Sequence, residues 1–162
     1  MLGRTHLAAG ALAGEAVAVA AHAGLAAMAV CAALGMASAW LPDLDMAGSG
    51  ISHALPLGWL PGRLLKHRGV THSLLACAVY AGIWAFWIRP ELHAPLLWAE
   101  AAVAGLLSHL VLDGLTGGVA LFWPLPPRRL GVRLCRTGGL WERAAVFPGL
   151  LVMVAWSTWH WG

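Results

Sequence analysis

His109 and Asp113, in "SHLVLDGLT", stand four residues apart. On a helix that spacing puts both side chains on one face, where an imidazole nitrogen and a carboxylate oxygen can grip one cation. The same two chemistries recur along the chain: His6 in "RTHLAAG", Asp43 and Asp45 in "WLPDLD", His67 and His72 in "KHRGVTHSLL", and Glu142 in "GGLWER". Histidine nitrogen with carboxylate oxygen, and no cysteine, is the ligand set of catalytic zinc or a related divalent ion. Asp43 and Asp45 follow Pro42 on a short turn, where one carboxylate could bridge two metals. His67 and His72 are five apart and cannot share a helix face. Gly69 lets the chain turn and Thr71 is placed to cap the next helix, so the two histidines approach from different directions.

Those residues sit in an unusually apolar chain. Of 162 residues, 60% are hydrophobic and 10% charged. A soluble domain carries about a quarter charged residues, so the composition points to a single membrane-embedded, all-α domain over 1–162. Ten tryptophans against one tyrosine fit a chain whose indoles collect at the lipid interface. Five segments are expected to cross or enter a bilayer: 5–21, 24–41, 72–88, 94–113 and 145–161. Brief connections near His22–Gly24 and Arg89–His93 make two helical hairpins and a fifth helix. Two polar loops, 42–71 and 114–144, join them. Cys31, Cys77 and Cys135 lack CxxC spacing and are read as reduced, the first two as small core residues. Gly10 and Gly14 permit close helix packing, with a partner inside the chain or in another copy.

With five spans, the N-terminus and both long loops share one side. That side holds Arg4, Arg63, Lys66, Arg68, Arg128, Arg129, Arg133, Arg136 and Arg143; the other holds only Arg89. The bias places the N-terminus and both long loops, and with them the site, on the cytoplasmic side of the membrane. Most arginines of 128–136 are read as contacts to anionic headgroups. Residues 1–23 also carry features of a signal peptide, with Arg4 and "AHA" before Gly24, but Glu15 interrupts the apolar region and cleavage would discard His6. On this topology every cytoplasmic helix end carries a histidine or carboxylate. His22, His93 and His160 are read as hydrogen-bonded packing residues. Carboxylates closing spans two and four oppose the helix dipole and cost desolvation energy unless a cation compensates. "TH" opens spans one and three and an Asp closes spans two and four, at Thr-to-Asp offsets of 38 and 42 residues. This suggests a parallel repeat of hairpins with the site between them; chance similarity accounts for it equally well.

"THLAAG", "LPDLD", "HRGVTHSLL" and "SHLVLDGLT" followed by "WPL" occur in an order that covers nearly the whole chain. The sequence thereby resembles the YdjM-like family of inner-membrane-associated metal-dependent hydrolases, also described as LexA-binding. That family is distantly similar to zinc-dependent phospholipases C and single-strand-specific zinc nucleases. The resemblance implies a helical site for one or more zinc ions that cleaves phosphate esters, with His6, Asp43, Asp45, His67, His72, His109 and Asp113 as the matching polar positions. Glu142 matches a late Gly…Glu element less closely. Where the family continues "PDxDHP", this chain has Met46 and Ala47, so one ligand or hydrogen-bond partner is missing from the pattern.

The expected activity is metal-dependent hydrolysis at the cytoplasmic membrane surface. His72, His109, Asp113 and one aspartate of the 43/45 pair would hold the ion, and the other aspartate would accept a proton from the attacking water. Arg68 suits bidentate contact with a phosphate, or equally contact with lipid or a loop carbonyl. The expected partner is a membrane lipid, with a phosphorylated or phosphodiester lipid as substrate. Nucleic acid is not expected, because nine cations over three segments make a modest basic patch. Two other classes remain open: a non-enzymatic membrane adaptor or DNA-tethering protein with a structural metal, and a small ion-coupled transporter using Glu15 and Glu100.

Overall fold

The computed structural model describes residues 1–46, 48–54, 69–125 and 129–162. Each apolar run becomes a helix: α1 (Gly3–Ala20), α2 (Leu25–Trp40), a short α3 (Gly50–Ala54), α4 (Leu74–Ile83), α5 (Arg89–Leu92), α6 (Leu96–Gly114) and α7 (Phe147–Trp161). Among the described residues the sole β pairing is an isolated antiparallel bridge between Val119 and Leu130. Two wider, π-type stretches interrupt the rods. Trp84–Ile88 joins α4 to α5, and Glu142–Val146 leads into α7. Each ends two residues before a proline, Pro90 or Pro148. Proline has no N–H to give the preceding turn and its ring crowds the carbonyl four residues back. A locally wider turn accommodates both defects.

Helix α2 with its tight extension, Leu25–Asp45, and helix α6, Leu96–Gly114, are long and apolar enough to cross a membrane. These are two candidate spans where five were expected. Helix α1 matches the first expected segment but carries Arg4 and Glu15, while a π-type stretch runs through the third segment and another leads into the fifth, with helical backbone on either side. Exposed aromatics gather at two levels: Phe86, Trp87, Trp156, Trp159 and Trp161 at one end, and Phe122, Trp123 and Trp141 at the other. The 18 residues of α1 rise about 27 Å between those ends, close to the ~30 Å of a hydrocarbon core.

Glycines set the spacing of the core. A β-carbon on Gly14 would strike the Cys31 carbonyl; one on Gly10 would meet Ala39 and the Gly35 carbonyl; one on Gly105 would meet that same carbonyl. Helices α1, α2 and α6 therefore touch backbone to backbone, with Gly35 common to both contacts. The partner of Gly10 and Gly14 is internal. Helix α7 lies against α1, and α4 against α6. Cys31 is buried against Ala18, Met28 and Ala101, Cys77 beside Leu106 and Leu110, and all three cysteines are free.

Candidate metal centre

The packing brings six ionisable residues, His6, Asp43, Asp45, His72, His109 and Asp113, to one end of the bundle. His6 lies in the first turns of α1. Pro42 opens a 3-10 turn, Leu41–Asp45, which carries Asp43 and Asp45 off the end of α2. A second such turn, Val70–His72, presents His72 ahead of α4. His109 and Asp113 occupy the closing turns of α6, their Nε2 and Oδ2 atoms 3.8 Å apart. All six are buried; Asp43, 8% exposed, is the most open of them.

Two sets of three ligand atoms lie within 4.8 Å of one another: His6, His109 and Asp113, and Asp43, His72 and His109. His109 belongs to both. Its Nε2 is 3.1 Å from His72 Nε2 and 3.8 Å from Asp43 Oδ1. Its ring stacks on His6 with centroids 3.7 Å apart. Asp113 Oδ1 lies 3.3 Å from His6 Nε2, and its Oδ2 lies 3.6 Å from His72 Nε2. The Met1 amino group lies 2.6 Å from the first of those oxygens.

The outer atoms of the two central histidines define their protonation. His109 Nδ1 is 2.7 Å from the Ala39 carbonyl, which only accepts, so Nδ1 carries the hydrogen and neutral His109 presents a bare Nε2. The Thr71 hydroxyl donates to Asp45 Oδ2 and accepts from His72 Nδ1 at 3.0 Å; Asp45 Oδ2 also lies 3.2 Å from that nitrogen. Neutral His72 then presents a bare Nε2 as well. Two lone pairs facing each other at 3.1 Å repel unless a proton or a metal ion sits with them. A carbonyl or carboxylate behind each imidazole is the arrangement that orients metal-binding histidines. His6 Nδ1 adds a buried nitrogen with no hydrogen-bond partner. The donor set thus fits a divalent cation.

Two expected ligands have other work. Asp45 stands behind His72 and orients it, so it belongs to neither set of three. Glu142 accepts from the Leu2 N–H at 2.6 Å, the Thr5 hydroxyl at 2.7 Å and the Gly138 N–H at 2.6 Å. Burial alone would raise its pKa, but those hydrogen bonds and the Met1 ammonium hold it below the ordinary carboxylate value. Glu142 therefore fixes the residues flanking His6. Thr71, expected as a helix cap, is engaged with Asp45, and Ser73 caps α4 by accepting from the Ala76 N–H at 3.1 Å. His67 and Arg68 lie outside the described residues, as do Arg63, Lys66 and Arg128. Met46 is exposed rather than turned into the cluster.

His22, His93 and His160 are also exposed. His22 and His93 adopt left-handed backbone at the hairpin tips, with φ of 52° and 50°, and His160 stacks on Trp156. They are turn and surface residues, not packed ones. Glu15 is buried with Oε1 accepting from Thr158 at 2.9 Å, whereas Glu100 is exposed, so the two do not form a shared buried pair. Sequence reasoning gave no role to Thr5 or the Met1 amino group. The signal for Thr5 was its repeat, since each "TH" supplies a hydroxyl that donates to a carboxylate.

Helices with membrane-spanning character, closing at one end around buried histidines and aspartates, define a helical membrane protein with a candidate ion site. The chain belongs to the YdjM inner membrane protein family, whose family model matches residues 1–162. It is 36% identical over 126 residues to Inner membrane protein YdjM of Escherichia coli (strain K12), and equally to that of Shigella flexneri. The match covers 74% of this chain and 60% of each relative, so the chain spans about 60% of the length of these curated relatives. A more distant similarity, 28% over 132 residues, links 69% of the chain to 23% of Apolipoprotein N-acyltransferase of Caulobacter vibrioides (strain ATCC 19089 / CIP 103742 / CB 15). No solved structure matches.

Proposed function

We propose that this protein is a metal-dependent hydrolase of the inner membrane, cleaving a phosphate ester or phosphodiester of a lipid or lipid-linked substrate at the cytoplasmic face. The observation that carries the reading is the approach of the His72 and His109 Nε2 atoms to 3.1 Å with both Nδ1 atoms already committed as donors. Carboxylate oxygens of Asp113 and Asp43 lie 3.6–3.8 Å from those nitrogens. His72, His109, His6 and Asp113 would hold the ion, zinc being the one this nitrogen and oxygen set suits best. A bound divalent ion supplies Lewis acidity toward a phosphoryl oxygen and acidifies water toward a pKa of ~7.

The chain's own residues do the rest. Asp45 and Thr71 keep His72 in the tautomer that turns Nε2 inward, and Ala39 does the same for His109. Asp43, the most open carboxylate of the cluster, is placed to take a proton from an incoming water. Glu142 holds Leu2 and Thr5, and with them the start of α1 that bears His6.

One observation favours a second reading. The cluster is nearly closed, with His72 and His109 fully buried, and structural ion sites are closed whereas catalytic ones keep an open position. Elemental analysis of detergent-purified protein, joined to phosphate release from phosphatidic acid vesicles, separates the two. The hydrolase holds a divalent ion that His109→Ala loses, and Asp43→Asn abolishes phosphate release while keeping an ion. A structural site gives the same metal contents with no hydrolysis in any form. Wild-type protein without a tightly held divalent ion ends both readings.

A further inference from the structure

Beside the cluster runs a groove of about 340 Å³, near the lower end of the ~300–1,000 Å³ common for ligand sites. Leu75, Val79 and Ile83 of α4 form one wall, Leu41 and Leu106 the other, and Val70 and Thr71 close the top. The α4 residues recur every four positions, so they make one stripe along the helix. From Leu75 to Ile83 that stripe descends about 12 Å, close to the ~15 Å depth of one leaflet's hydrocarbon. Leu75, Val79 and Ile83 are exposed, so the groove opens sideways, below the aromatic level of Phe122 and Trp123 and above that of Phe86 and Trp87.

The upper end of the groove adjoins the ion cluster through the residues that line it. Thr71 lines it and donates to Asp45, and Pro42, also in its wall, precedes Asp43. Leu106 stands one turn before His109. The geometry points to a single occupant: one acyl chain of a phosphate-headed lipid, lying along α4 with its headgroup at the Asp43 edge of the cluster. Hydrocarbon gains nothing by leaving one apolar medium for another, so the selection comes from the phosphate. This inference rests on the metal-dependent reading, because without a cation Asp43 and Asp113 would repel that headgroup.

The test uses full-length protein in phosphatidylcholine nanodiscs doped with a non-hydrolysable phosphonate analogue of phosphatidic acid that carries a diazirine at the end of one chain. Irradiation and mass spectrometry map the adducts, and metal content is measured on the same samples. Val152, exposed on α7 away from the groove, reports the bulk lipid. Adducts on Val79 and Ile83 are expected to exceed those on Val152 by about tenfold, a preference of ~1.4 kcal/mol. The excess disappears in Ala76→Trp, which fills the groove, while the bound ion stays. If Ala76→Trp does not fold, Val79→Phe at an exposed position serves instead, read at Ile83. Diacylglycerol bearing the same diazirine should label all three positions alike. Even labelling by the phosphonate in ion-loaded wild type, or equal enrichment with diacylglycerol, overturns the acyl seat and leaves the hydrolase reading standing. Absence of the ion brings down the hydrolase reading itself.

Discussion

The two hairpins, α1–α2 and α4 through α6, are built to the same plan and packed in opposite ways. Each opens on a Thr-His pair whose hydroxyl donates to a carboxylate, Thr5 to Glu142 and Thr71 to Asp45. Each turns at a histidine in left-handed backbone, and each returns to an aspartate beside the other hairpin's histidine. Yet the first hairpin is locked by glycines at backbone contact, while α4 stands away from the bundle far enough to leave a groove. His6 keeps an unpartnered Nδ1, whereas both nitrogens of His72 are engaged. One half supplies rigidity and the other supplies access.

That contrast breaks most sharply at glycine. Gly35→Leu would drive a side chain into the α1 and α6 backbones and should cost about 4 kcal/mol or more, read as loss of folded protein in a detergent melt. Gly82→Ala in α4, where nothing stands within 4 Å of the new β-carbon, should leave the melt unchanged or raise stability by up to ~1 kcal/mol. An equal penalty at both sites would remove the distinction.

The histidines give the next largest effect. His109→Ala removes the ligand common to both sets and should abolish ion binding. His6→Ala should weaken it and leave Asp43, His72 and His109 in place, as titration with a chelating indicator would measure. Behind them, Thr71→Val should lower ion affinity about 10–100-fold by releasing His72 and Asp45. Thr5→Val should cost about 1 kcal/mol of stability and change ion affinity little, because Glu142 keeps two backbone donors. Comparable loss of ion affinity in both would mean that the two hydroxyls act alike.

The smallest effect is a pH dependence. Glu142 has its folded pKa depressed, so its contribution is fully present above about pH 4.5 and fades as pH falls through the lower folded value. Melting curves of wild type and Glu142→Gln should therefore converge on the acid side of that value. A gap that persists there would mean that the carboxylate's charge is not what holds Leu2 and Thr5.

Much of this plan was legible in the sequence, because helix formation follows apolar runs and their punctuation. The hairpins, their tips and the meeting of His6, Asp43, His72, His109 and Asp113 all follow from where polar residues interrupt those runs. The division of labour among them does not. Whether an aspartate faces the ion or stands behind a histidine depends on a rotation within "LPDLD" that no spacing rule fixes, and so Asp45 read as a ligand. Glu142 read likewise, since its three donors come from residues up to 140 positions away. Thr71 looked like a cap because it precedes a helix, but Ser73 lies two residues nearer the helix start and fills that position.

The bond from Thr5 to Glu142 joins residues 137 positions apart, and it imposes an order on biosynthesis. At roughly 5–20 residues per second a ribosome needs about 7 to 27 s to cover that distance. Throughout that interval the start of α1 lacks the carboxylate that later fastens it. A nascent chain arrested after α6 would already have all six core histidines and aspartates in the bilayer, with His6 still unanchored.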